Sequence, residues 1–127
     1  MLKTISILLI TERRQQLLDF VEAIQKETDI DLLVATTVQD AIHIVDYHAP
    51  ALIIVDEQVG KFSGVDLVRR IIEINAFVNT AVLTSLAEEE FHHRSEGLGI
   101  LSALPAQPGE KDASKLLKLL QQLISKT

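Results

Sequence analysis

A doubly wound α/β domain, five parallel strands in the order 2-1-3-4-5 with helical crossovers between them, is the fold class that this sequence predicts. Three features predict it. Short apolar runs alternate with stripes of helical spacing along the chain, the pattern of a parallel sheet covered on both faces. One run, Ala51 to Val55, is apolar throughout and rich in β-branched residues, which suits a strand buried on both sides. That run stops at Asp56, where open α/β sheets place their chemistry.

The elements follow in order. Ile5 to Ile10 is a first buried strand closed by Thr11 and Glu12, with Thr11 as the expected N-cap of a helix carrying Leu17, Phe20, Val21 and Ile24. Ile30 to Ala35 is a weaker second strand, expected at a sheet edge. Val38, Ala41, Ile42 and Val45 form the next stripe, ended by His48 and Pro50 because proline disfavours helix at the residue before it. After Asp56, the turn residues Gly60, Ser63 and Gly64 lead into a third helix with Val65, Val68, Ile71 and Ile72, fading near Asn75. Thr80 to Thr84 is a fourth strand. Glu88, Glu89 and Glu90 suit the amino end of a fourth helix with Phe91 and Leu98 on its apolar face and Gly99 as its stop. Ile100 to Leu104 is a fifth strand, and Asp112 to Ser125 a strong final helix.

Composition narrows the function. A chain of 127 residues, 47% hydrophobic, forms one domain, residues 1–127, with a core that needs no disulfide. Zero cysteines exclude thiolate metal sites and cysteine nucleophiles. A net charge of -6, with only the pairs Arg13-Arg14 and Arg69-Arg70, opposes nucleic-acid binding. Ile5 to Ile10 is too short to span a bilayer, so no membrane role and a cytoplasmic location are expected.

The spacing from Asp56 to Gly64 behind a buried strand resembles the phospho-acceptor segment of response-regulator receiver domains, and the likeness, of the chemotaxis-regulator kind, covers nearly the whole chain. The family usually carries proline where this chain has Gly60. The resemblance implies a flavodoxin-like receiver topology, with Asp56 as phospho-acceptor at the end of the third strand. It also implies that Thr84 contacts the phosphoryl group, with Ser85 as the small residue beside it.

Departures cluster around the acceptor. The family's acidic pair after the first strand, which holds Mg²⁺, is here Thr11-Glu12, so the implied metal ligands are Glu12, Asp56 and the main-chain carbonyl of Gln58, and the loss of one acid predicts a weakened magnesium affinity. The family's Lys-Pro after the fifth strand aligns with Gln107-Pro108, or with Ala106 when aligned from Gly99. Neither residue carries charge, and the developing charge on a transferred phosphoryl group loses a preorganised partner. The aromatic switch position corresponds to Ala103 or Ser102.

Two mechanisms are consistent with these residues. In one, a sensor histidine kinase, phosphotransfer protein or small phosphodonor phosphorylates Asp56 in a two-component phosphorelay. In the other, the chain is a pseudo-receiver that binds a downstream protein partner without phosphorylation. Both make it a signalling module rather than an enzyme. Both use a surface, expected at the fourth helix, fifth strand and fifth helix, where Leu119 and Leu123 exceed one core stripe and suit a homodimer. A third option, an Asp-nucleophile phosphohydrolase, wants a second Asp where Gln58 stands. Adjacent His92 and His93 point apart on a helix and do not make a metal site with Glu88. Gly97-Leu98-Gly99 lacks the third glycine of a dinucleotide loop, and Thr11 to Arg14 lacks a flavodoxin phosphate loop.

Overall fold

Five of the apolar runs assemble into one parallel sheet: β1 (Ile5–Ile10), β2 (Ile30–Ala35), β3 (Leu52–Val55), β4 (Asn79–Thr84) and β5 (Ser102–Pro105). They lie in the order β2-β1-β3-β4-β5, seen in a computed structural model that describes residues 4–125. The expected domain limits at 1 and 127 lie outside the described residues. β2 takes the edge, as its broken apolar pattern predicts.

Alternation along each buried strand divides the core. Ile7, Leu9, Leu52, Ile54, Ala81 and Leu83 face one side, where Phe20 and Ile24 of α1 (Leu18–Gln25) meet Leu116 and Leu120 of α5 (Glu110–Ser125). Leu8, Ile10, Ile53, Val55 and Val82 face the other, against α2 (Val38–His48), α3 (Gly64–Ile74) and Phe91 of α4 (Glu88–Arg94). Each fully buried Leu, Ile or Phe stabilises the fold by about 1.5–3 kcal/mol.

Several boundaries differ from the sequence reading, each for a local reason. A 3₁₀ turn, Arg14–Leu17, precedes α1, and Thr11 is buried rather than capping a helix. In α2 the packed face runs through Val38, Ala41, Ile44 and Val45, with Ile44 in the role expected of Ile42. Ala49 takes a left-handed conformation at φ 42° and closes that helix before Pro50. α4 ends at Arg94, well before Gly99: the Ser95 hydroxyl donates to the Phe91 carbonyl at 2.7 Å, and Gly97 adopts φ 83°, which withdraws the chain from the helix. α5 starts two residues early because Asp112 reaches back to accept the Gly109 N–H at 2.8 Å, half of a capping box.

The topology positions the site. Ile10 pairs with Val55 across β1 and β3, so Thr11 and Asp56 leave the sheet side by side at its carboxyl edge. A small antiparallel hairpin, Gln58–Val59 with Phe62–Ser63, then leads to α3, where the Ser63 hydroxyl caps by accepting the Asp66 N–H at 3.1 Å. Gly64 is the tightest point. A Cβ there would lie 2.5 Å from the Asp56 carbonyl oxygen and 3.0 Å from Val82 Cγ1, so the end of β3 and α3 meet at this distance only with glycine.

Gly64→Ala is therefore expected to destabilise the protein by about 1–3 kcal/mol, the usual cost of forcing a methyl group into filled space. Urea unfolding followed by circular dichroism measures it.

Candidate functional site

Asp56 is 1% exposed, and its carboxylate is fully engaged. Oδ2 accepts from the Thr11 hydroxyl at 2.7 Å and from Arg13 Nε at 2.8 Å. Oδ1 accepts from Arg13 Nη2 and from the Glu57 N–H, both at 2.8 Å. Four donors thus meet four lone-pair positions, which is the full acceptor capacity of a carboxylate. Two of the four come from one guanidinium in the fork geometry that arginine offers and lysine does not.

Local structure delivers Arg13 to this position. Thr11 donates to Asp56 and at the same time accepts the Arg13 N–H at 3.0 Å, so one buried hydroxyl fixes both partners of the ion pair. Arg13 precedes the 3₁₀ turn with φ -125° and ψ 46° and caps nothing with its side chain. The guanidinium, 22% exposed, continues past Asp56: Nη1 donates to Gln107 Oε1 and Nη2 to the Ala106 carbonyl. The loop after β5 is thereby tied to the loop after β1.

The hydrogen bond to Asp56 raises the Arg13 pKa above its already high value; burial opposes this, and the charges of Asp56 and Glu57 add to it. A raised pKa in the folded state contributes stability that is complete below the unfolded value and lost only above the folded one. The cation therefore keeps its charge through the whole alkaline range in which proteins stay folded.

The other residues singled out in the sequence are arranged around this pair. Glu12 does not turn to Asp56: its Oε1 accepts the Gly60 N–H at 2.8 Å. Gln58 is exposed and its amide donates to the Gly60 carbonyl at 2.9 Å. Thr84 ends β4, adjacent to β3, and its Oγ1 accepts the Leu86 N–H at 3.1 Å. Gln107 and Ala106, the two positions where the resemblance implied a lysine, both meet Arg13: the Gln107 Oε1 and the Ala106 carbonyl accept from its guanidinium.

The expected magnesium ion does not fit this arrangement. Binding to Asp56 would require a lone pair that Arg13 or Thr11 now holds, and Glu12 is committed to the loop after β3. No cluster of three or more His, Cys, Asp or Glu suited to a metal occurs among the described residues. Charge explains the exchange. A divalent ion suits several carboxylates, whereas a single buried carboxylate is neutralised by one guanidinium.

Arg13 is the residue that sequence reasoning missed. Its signal was indirect: the acid at position 11 and the lysine near position 107 are both absent, and a basic residue stands two positions after Thr11. Read only as half of an Arg-Arg pair, it gave no hint of pointing inward.

Among solved structures the chain is similar to a CheY-like receiver domain protein from Methanospirillum hungatei, at 14% identity and TM-score 0.83, covering 98% of this chain and 100% of that one. This chain has the response-regulator receiver fold. It is similar at the same TM-score to the receiver domain of a putative Luxo repressor protein from Vibrio parahaemolyticus, at 17% identity over 97% of this chain and 95% of that one. The N-terminal domain of an uncharacterized protein from Wolinella succinogenes aligns at 18% identity and TM-score 0.80, over 98% of this chain and 100% of that one. No protein-family model matches the sequence, and no curated protein does. Within this fold the Asp56 carboxylate is paired with Arg13 of the same chain.

Arg13→Ala is expected to cost about 3 kcal/mol, the lower end for breaking a buried pair because the arginine is partly exposed. Adding Asp56→Asn should recover part of that loss, since a neutral amide needs no counter-charge. Denaturant titration of the three proteins at pH about 7 and about 10 checks both effects, and the Arg13 contribution should be equal at the two pH values.

Proposed function

We propose that this protein is a receiver-fold signalling module that works by docking to protein partners, its acceptor aspartate neutralised by Arg13 rather than activated by magnesium. One observation carries the reading: every lone pair of the Asp56 carboxylate is occupied by a donor of the chain itself. An aspartate that attacks a phosphodonor needs a free oxygen, and the phosphoryl group in transit needs cations placed to meet its charge. Here the cation is bound to the nucleophile, which lowers the energy of the resting carboxylate and blocks its approach. Asp56 is in this reading a structural anchor for the loops that partners touch.

Such a module takes its place in two-component or phosphorelay signalling in the cytoplasm, as a partner of a sensor histidine kinase, a phosphotransfer protein or a downstream effector. No helix among the described residues is long and apolar enough to cross a membrane, and the net charge of -6 opposes nucleic acid. The docking face is that of α4, β5 and α5. α5 leaves Leu119 and Leu123 38% and 37% exposed, which favours an apolar partner surface, a second copy of the chain included.

Phosphorylation of Asp56 with Mg²⁺ is the second reading. The placement of Thr84 at the end of the neighbouring strand favours it. Phosphohydrolase activity has less support, because Gln58 engages Gly60 and not Asp56.

Intact-mass spectrometry after treatment with a small phosphodonor and Mg²⁺ should show unmodified protein at every donor concentration. A one-phosphoryl shift that disappears in Asp56→Asn establishes the second reading instead. Aryl phosphates should not turn over. Light scattering across a concentration series tests the second copy: a monomer throughout counts against it, and Leu119→Lys should abolish any dimer seen.

A further inference from the structure

The residue after Asp56 is also acidic, and its carboxylate turns to a different loop. Glu57 Oε2 accepts two hydrogen bonds from Ser85, from the main-chain N–H at 3.0 Å and from the hydroxyl at 2.8 Å. Ser85 begins the connection from β4 to α4. Glu57 is itself held at both backbone groups: its N–H donates to Asp56 Oδ1 at 2.8 Å, and its carbonyl accepts the Gly64 N–H at 2.9 Å. The carboxylate thus projects from a fixed point beside the acceptor.

The segment on the other side is tied at its far end, where Arg69 Nη2 of α3 donates to the Arg94 carbonyl at 2.7 Å, and has little else of its own at the near end. α4 has seven residues, its N-cap Ala87 makes no side-chain hydrogen bond, and Phe91 is its one buried side chain. Helices this short have little stability of their own. Thr84 adds a local bond to Leu86, but that bond lies within the connection and ties it to nothing else. The two Glu57 bonds are side-chain bonds that cross from this connection to the loop carrying Asp56.

We infer that Glu57 is a built-in anionic latch, which holds the β4–α4 connection against the acceptor pocket and so fixes α4 without any added group or ligand. The carboxylate supplies a negative charge next to Asp56, and both Ser85 donors close on it. The inference rests on the reading above only in taking the site to be set by the chain's own residues. It adds that the α4 face is presented in one state at all times.

Amide hydrogen exchange by mass spectrometry, on the whole chain without Mg²⁺ or phosphodonor, tests the latch. Glu57→Ala should accelerate exchange over residues 85–95 by roughly threefold to tenfold, the loss of one to two hydrogen bonds to a charged group at a partly exposed site. Residues 106–112, tied instead by Arg13, should keep the wild-type rate. Ser85→Ala, which retains the main-chain donor, should give a smaller rise over 85–95, and Glu57→Gln, which retains an acceptor without the charge, should also fall between. Wild-type exchange over 85–95 in Glu57→Ala overturns the inference, as does acceleration spread evenly over the chain. A phosphorylated wild-type protein would sink the functional reading and leave this result untouched.

Discussion

The ion pair between Arg13 and Asp56 is the constraint on which the arrangement at the carboxyl edge of the sheet depends. A carboxylate that is 1% exposed must be neutralised and fully hydrogen-bonded, since burying an uncompensated charge costs several kcal/mol. Parallel pairing of β1 with β3 forces Asp56 into that position. The remaining freedom is in the choice of cation. With a hydroxyl at position 11, Asp56 is the carboxylate that the guanidinium touches, and the guanidinium meets it with matching geometry.

From that pair the surrounding loops are joined by a small set of side chains. Arg13 connects the loop after β1 to Asp56 and to Ala106 and Gln107 after β5. Glu12 connects it to Gly60, and Glu57 connects the loop after β3 to Ser85 after β4. Four of the loops at this edge are thus bound together, Asp56 by the Arg13 cation and Glu12 and Glu57 by neutral N–H and hydroxyl donors. Loops carrying binding residues are normally the mobile part of such folds. Here each is restrained by a contact to a neighbour.

Much of the fold was legible in the sequence because it is written in apolar period. The unbroken run at Ala51 to Val55 reported a strand covered on both sides, found at Leu52–Val55, and the weak run at Ile30–Ala35 reported an edge. Helix ends were less legible: α4 stops through a serine hydroxyl folding back on Phe91 and a left-handed Gly97, neither of which leaves a mark on hydrophobic spacing. The site was legible in part. Asp56 follows from strand and turn, whereas the close approach of Gly64 to the Asp56 carbonyl is seen only in three dimensions. Arg13 did not follow, because whether a charged residue one turn from a strand faces solvent or the interior is decided by long-range partners such as Thr11 and Asp56. Composition has no access to that.

Gly60 brings a final consequence. It stands at φ 58° and donates its N–H to Glu12 at 2.8 Å, and an imino acid can do neither, having a fixed negative φ and no hydrogen to give. Residues 12 and 60, far apart along the chain, therefore depend on one another. A proline ring placed at 60 would release the glutamate at 12, and with it a carboxylate free to seek a metal.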